Sequence, residues 1–297
     1  MRWKPVRRER VRDERGRPGG GGSLPRGAGC GGGVLAIVVV VVTLLVGGNP
    51  LGGSGAFDLE YEDPSAGTVP EGSGEIGERP NETEKQFSDF VMKDLDDLWE
   101  PQFRDANRPF QIPTITYFTR ATRTGCGGAS SQTGPFYCPR DSGVYVDLAF
   151  LRQLQNRFGA TGDFAHAYIL AHEYGHHIQN SYDVGDGRSI MTTVQAEQRQ
   201  DPGRANEWSI RLELQADCLA GIWARSAYEE GQLEQGDIEE GLNAAAAVGD
   251  DRIQQRTTGR VDPHSFNHGS SEQRQRWFAR GFDSGEFSQC NTFSGSV

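Results

Sequence analysis

Apolar residues are scarce in this chain of 297 residues: they make up 35%, while glycine alone contributes 40 positions. With so little to bury, part of the chain is expected to lie outside any packed core. Cysteines are few and widely spaced, at positions 30, 126, 138, 218 and 290. No C-x-x-C pair occurs among them, which excludes a zinc ribbon and a thioredoxin-like motif. No G-x-S-x-G elbow surrounds Ser130, Ser131 or Ser270, so serine hydrolysis lacks its usual framework. No internal repeat is visible. Net positive charge is confined to the start. Residues 1–33 hold nine Lys/Arg against three Asp/Glu, leaving 21 against 38 in the remainder, within a net charge of -11. An acidic remainder of this kind does not bind nucleic acid through a basic surface, and ordinary solubility accounts for it.

What is present divides the chain into four parts. Residues 1–27, basic and rich in Gly and Pro, read as an unstructured cytoplasmic tail. Residues 28–48 carry no charge and centre on VLAIVVVVVTLLV, Val34–Val46, long enough to cross a bilayer as a signal anchor. A cleaved signal peptide competes, because the strongly apolar core is short, but the basic leader is long and no A-x-A site follows. Cys30 precedes the apolar core, so a lipobox is excluded. The positive-inside rule puts the N-terminus in the cytoplasm and the rest on the extracytoplasmic side of the cell membrane. Residues 49–80 read as a disordered linker and residues 81–297 as the folded domain.

Within the domain, apolar spacing predicts a helix over 82–100 ended by Pro101, then strands at Thr114–Thr119 and Val144–Leu148. Further helices are predicted at Leu148–Phe158, Phe164–Gln179, Glu207–Glu230, Gly236–Val248 and Ser271–Phe282, the last capped by Ser270 or Ser271. Strands come early and helices late, which indicates an α+β class. Cys126 and Cys138 flank a Gly/Ser/Pro-rich loop suited to a disulfide outside the cytoplasm. For Cys218 and Cys290, a second bond and two free buried thiols both remain open.

The chemistry concentrates in His172-Glu173-Tyr174-Gly175-His176, an H-E-x-x-H motif inside YILAHEYGHHIQ. On a helix, positions i and i+4 share a face one turn apart, so both imidazoles can reach one zinc ion. Glu173 can then accept the proton of a water that the metal acidifies. A helix with solvated His and Glu is the bland alternative; the apolar surroundings argue against it. His177 falls on another face, as a surface histidine or a partner of the ligands. A third ligand is sought in RLELQADCLAG, where Glu213 and Asp217 stand one turn apart on a largely apolar helix. Glu213 would complete the set, and Asp217 would accept the second N–H of a zinc-bound His. A solvated acidic face is the alternative there. His268 is either a donor to the oxyanion of a tetrahedral intermediate or a loop histidine beside a helix cap. Tyr145 lies either beside a substrate cleft or in the core.

The segments HEYGHHIQ, RLELQADCLAG, GPFYCPRDSGVYVD and HGSSEQR, with the MRW start, closely resemble the bacterial neutral zinc metallopeptidase family. The resemblance covers nearly the whole chain apart from the linker. That family is similar to gluzincins, whose E-x-x-x-D motif supplies the third ligand; it implies Glu213 as ligand, Asp217 behind a ligating histidine, and a zincin-like fold with a small sheet over the H-E-x-x-H helix. The expected activity is zinc-dependent hydrolysis of peptide or protein substrates, within a chain rather than from its end. The rival expectation is a non-catalytic zincin-fold module that binds peptide or cell-envelope material.

Overall fold

The computed structural model describes residues 1–16, 81–150 and 162–297. Its elements run β1 (Val11–Asp13), α1 (Glu82–Asp105), β2 (Thr114–Phe118), β3 (Ala121–Thr124), β4 (Gly127–Ser130), β5 (Phe136–Cys138), β6 (Gly143–Asp147), α2 (Phe164–Ser181), α3 (Ile190–Gln200), α4 (Ala205–Glu229), α5 (Asp237–Ala247), α6 (Asp250–Thr257) and α7 (Ser271–Ser284). The class is α+β: a four-stranded sheet in the order β1-β2-β6-β5, a separate β3-β4 hairpin, and a helical layer. β2 runs parallel to β1 and β6, and β5 closes the edge antiparallel to β6. Every residue of β2 (TITYF) and β6 (GVYVD) is buried, as expected of strands covered on both faces.

Residues 1–16 correct the reading of an unstructured tail over 1–27, of which 17–27 lie outside the described residues. Val11, Arg12 and Asp13 pair with Ile115, Thr116 and Tyr117. Trp3 meets Phe87 edge-on, with ring centroids 5.4 Å apart. Arg8 is buried and grips Asp96 of α1 through Nε and Nη2 at 2.8 and 3.0 Å. Two of the basic residues that suggested a solvated tail, Arg8 and Arg15, thus meet acids distant in sequence, Asp96 and Glu82. A strand paired with β2 lies on the same side of any membrane as the domain. The 28–48 run and the 49–80 linker lie outside the described residues, and no helix among the described ones is long and apolar enough to cross a membrane.

The helix boundaries differ in a few places. α1 continues through Pro101 to Asp105. The hydrogen bond that proline forfeits falls on the exposed side, at Asp97, while Phe103 beyond it is buried against Phe110 at 4.5 Å. Leu148–Phe150 are helical, and the rest of the expected 148–158 helix lies outside the described residues. Ser270 caps α7, accepting from Gln273 N while the Gln273 side chain returns to Ser270 N. Both disulfides are present, Cys126–Cys138 and Cys218–Cys290.

Two close approaches bring the functional helices together. A Cβ on Gly175 of α2 would stand 3.1 Å from Ala216 Cα of α4, so the glycine inside H-E-x-x-H lets the two helices touch backbone to backbone. Likewise, a Cβ on Gly221 would stand 2.1 Å from Phe278 O, and one on Gly281 1.9 Å from Cys218 O. That crossing presses α7 against α4 and carries Arg274 to Asp217.

Candidate metal centre

α2 presents His172, Glu173 and His176 on a stretch that is buried almost throughout. α4 crosses it and presents Glu213 and Asp217, one turn apart. The ligand-capable atoms of His172, His176 and Glu213 all lie within 4.8 Å of one another. His172 Nε2 is 3.2 Å from Glu213 Oε2, and His176 Nε2 is 3.4 Å from Glu213 Oε1. The two imidazole planes stand at 86° with centroids 4.8 Å apart, so both Nε2 atoms converge on one carboxylate from different directions. Two histidine nitrogens and one carboxylate form a donor set suited to zinc. Among the described residues Glu173 Oε2 is buried with no hydrogen-bond partner, an orphan acceptor beside this set. Both features fit a metal with an attached solvent molecule.

Electrostatics hold the set in tension. Burial pulls the His172 ring down, but the Asp217 and Glu213 carboxylates outweigh it and lift the ring to about 9. Burial likewise works against protonated His176, and Glu213 reverses it. Burial also works against the Glu213 anion, yet the two rings hold its carboxyl well below the usual range. These shifts describe a buried anion seeking cations, a role that a divalent ion fills more fully than two protons. Burial raises Glu173, opposed by His176 and His172 and by the Tyr137 backbone N–H on β5.

Behind the ligands stands a second set of contacts. His172 Nδ1 donates to Asp217 Oδ1 at 2.9 Å. Asp217 is fully buried and also accepts from Tyr168 Oη at 2.5 Å and from Arg274 Nε and Nη2 at 2.8 and 2.9 Å. Arg274 donates further to Val248 O at 3.2 Å. His176 Nδ1 faces Gln179 Oε1 at 2.8 Å. Sequence reasoning missed Tyr168, Gln179 and Arg274. Spacing held the signal: Tyr168 precedes His172 by one turn, Gln179 follows His176 by three residues, and Arg274 shares the buried stripe of Trp277, Phe278 and Gly281.

The remaining candidates are not part of the ligand set. His268 is buried, its Nδ1 held by Asp250 Oδ1 at 3.0 Å. His177 is buried rather than on the surface, between Tyr137 Oη at 3.0 Å and Gln111 O at 2.8 Å. It joins α2 to β5 and does not face the ligands. Tyr145 is a core residue, stacked on Phe136 and donating to Asp141 at 2.7 Å. A second acidic cluster, Asp163, Asp237 and Glu240, already faces a cation, the Met1 α-ammonium, 2.7 Å from Asp163 and 3.3 Å from Asp237.

The model of the family described as putative neutral zinc metallopeptidase matches residues 1–293. Among curated relatives, "Uncharacterized protein YpfJ" of Escherichia coli (strain K12) is 47% identical over 219 residues, 73% of this chain and 75% of that one. "Uncharacterized protein Rv2575" of Mycobacterium tuberculosis (strain ATCC 25618 / H37Rv) is 43% identical over 211 residues, 67% of each. No solved structure matches this chain.

Proposed function

Because the chain belongs to the neutral zinc metallopeptidase family, whose cofactor is zinc, we propose that His172, His176 and Glu213 hold the metal and that Glu173 is the general base of peptide bond hydrolysis. Zinc bound there would acidify a water and polarise the scissile carbonyl. The chain's own groups do the rest. Glu173 Oε2, buried and unpartnered, takes the water's proton and returns it to the leaving amine. Burial lifts the Glu173 carboxyl toward the working range of such a base. Asp217 holds the His172 ring so that its Nε2 faces Glu213. His268, steadied by Asp250, is the candidate donor to the oxyanion.

Cleavage within a chain, rather than from its end, is part of this proposal. The sheet beside an H-E-x-x-H helix supports a zincin-like arrangement. We place the domain outside the reducing cytoplasm, since two disulfides are stable there. The observation that carries the reading is the convergence of His172, His176 and Glu213 around the orphaned Glu173 oxygen. Digestion of a peptide library by the full chain tests it: chelation should abolish cleavage and added zinc restore it. Cleavage that survives chelation, with zinc absent by elemental analysis, would remove the metal from the reaction.

A further inference from the structure

Gln179 is fully buried on α2, and each polar atom of its amide has a defined partner. Its Nε2 lies 2.7 Å from Leu212 O and 3.1 Å from Gln215 Oε1, both acceptors. Its Oε1 lies 2.8 Å from His176 Nδ1. Turning the amide over would press its oxygen against the Leu212 carbonyl, oxygen to oxygen. The orientation is therefore fixed by chemistry. Gln215 is fixed in the same way: its Nε2 donates to Cys290 O at 3.0 Å, which leaves its oxygen to accept from Gln179. Cys290 is bonded to Cys218 on the helix that carries Glu213.

We infer that Gln179, tethered by Gln215, is a positioning residue for His176: as an acceptor at Nδ1 it requires the hydrogen there and leaves the Nε2 lone pair aimed at the metal position. The inference rests on the zinc-centre reading above and extends it to His176, whose Nδ1 faces an amide oxygen where that of His172 faces a carboxylate. The two ligand rings are thus held by different chemistry. His172 leans on the anion Asp217, whose charge Arg274 balances. His176 leans on a neutral amide. With Glu173 and Glu213 already facing the centre, a neutral partner there adds no further buried anion that would need a cation of its own.

A merely structural glutamine would satisfy the Leu212 carbonyl and no more, so the test must read the ring. In full-length protein, zinc affinity is measured by chelator competition for wild type, Gln179→Met and Gln215→Met. Thermal unfolding of the metal-free proteins reports on the fold, and proton NMR of the zinc-loaded proteins reports the His176 Nδ1–H resonance. Gln179→Met should weaken zinc binding about 10–100-fold and shift or broaden away that resonance. Gln215→Met should do the same to a smaller degree. A Gln179→Met protein that unfolds earlier yet binds zinc as tightly as wild type, with the resonance in place, overturns the inference. Should Gln179→Met not fold, unchanged affinity and resonance in Gln215→Met overturn it instead. Wild type that takes up no zinc would refute the centre itself, a result distinct from either.

Discussion

Removing the Arg8 side chain asks whether the first sixteen residues belong to the fold. Arg8 has a fully buried guanidinium that donates twice to Asp96 and once to Pro113 O at 2.9 Å. Arg8→Ala deletes these bonds, with two longer ones from Nη1 to Glu9 O and Arg10 O, and leaves Asp96 inside the protein with Tyr174 Oη, at 2.8 Å, among its remaining donors. Breaking a buried pair by removing one partner costs about 3–5 kcal/mol, because the stranded charge keeps its desolvation penalty. Against a total stability of about 5–15 kcal/mol, that is a large fraction. Urea unfolding of the metal-free full chain at pH 7 measures it. The pH dependence supplies a signature. Burial already pushes Asp96 up, and Arg8 and Tyr174 pull it back. Without Arg8 the folded-state carboxyl rises further. A raised carboxyl favours the fold when protonated, so the deficit should shrink as pH falls from 7 toward 5. A variant that unfolds within about 0.5 kcal/mol of wild type at pH 7 would refute the packed N-terminal segment.

Other expectations follow from the same contacts. Glu213→Ala should lose zinc under mild chelation, whereas Asp217→Asn should retain it with affinity weakened about 10–100-fold, both read by metal competition; equal retention by Glu213→Ala would send the search to another carboxylate. Mass mapping of non-reduced protein should recover Cys126–Cys138 and Cys218–Cys290. Replacing the second pair, which closes the longer loop at a sequence separation of 72, should cost about 4 kcal/mol on a chain-entropy estimate, against about 3 for the first at 12. Burial holds the His177 ring down at about 4, opposed by the Gln111 carbonyl. A ring whose folded value is depressed stabilises fully above its unfolded value near 6.5 and loses that contribution as pH falls toward 4, here about 3 kcal/mol. His177→Gln should flatten this part of the stability curve; a curve parallel to wild type would refute the assignment.

The legible parts of the site were those written in local spacing. His172 and His176, and again Glu213 and Asp217, are one helical turn apart, so a single helix assumption placed each pair on one face. That the two helices meet depends on Gly175 against Ala216, a contact with no local signature. β1 was illegible for a related reason. Three residues in a basic segment carry little strand signal, and their partners at Ile115–Tyr117 lie across about a hundred residues of chain. Arg8 and Arg15 read as solvated charges because Asp96 and Glu82, which pair with them, are equally remote. Arg274 was visible only as a polar residue on an otherwise apolar stripe, a pattern that gains meaning once Asp217 stands opposite.

Glu173 carries the central claim, and one comparison reaches it most directly. Wild type and Glu173→Gln, both full length and both shown by elemental analysis to hold equal zinc, are assayed on the same peptide substrate. Glutamine keeps the shape but cannot take a proton, so the rate should fall about 10²–10⁴-fold with zinc content unchanged. A fully zinc-loaded Glu173→Gln protein that cleaves at the wild-type rate would contradict the account.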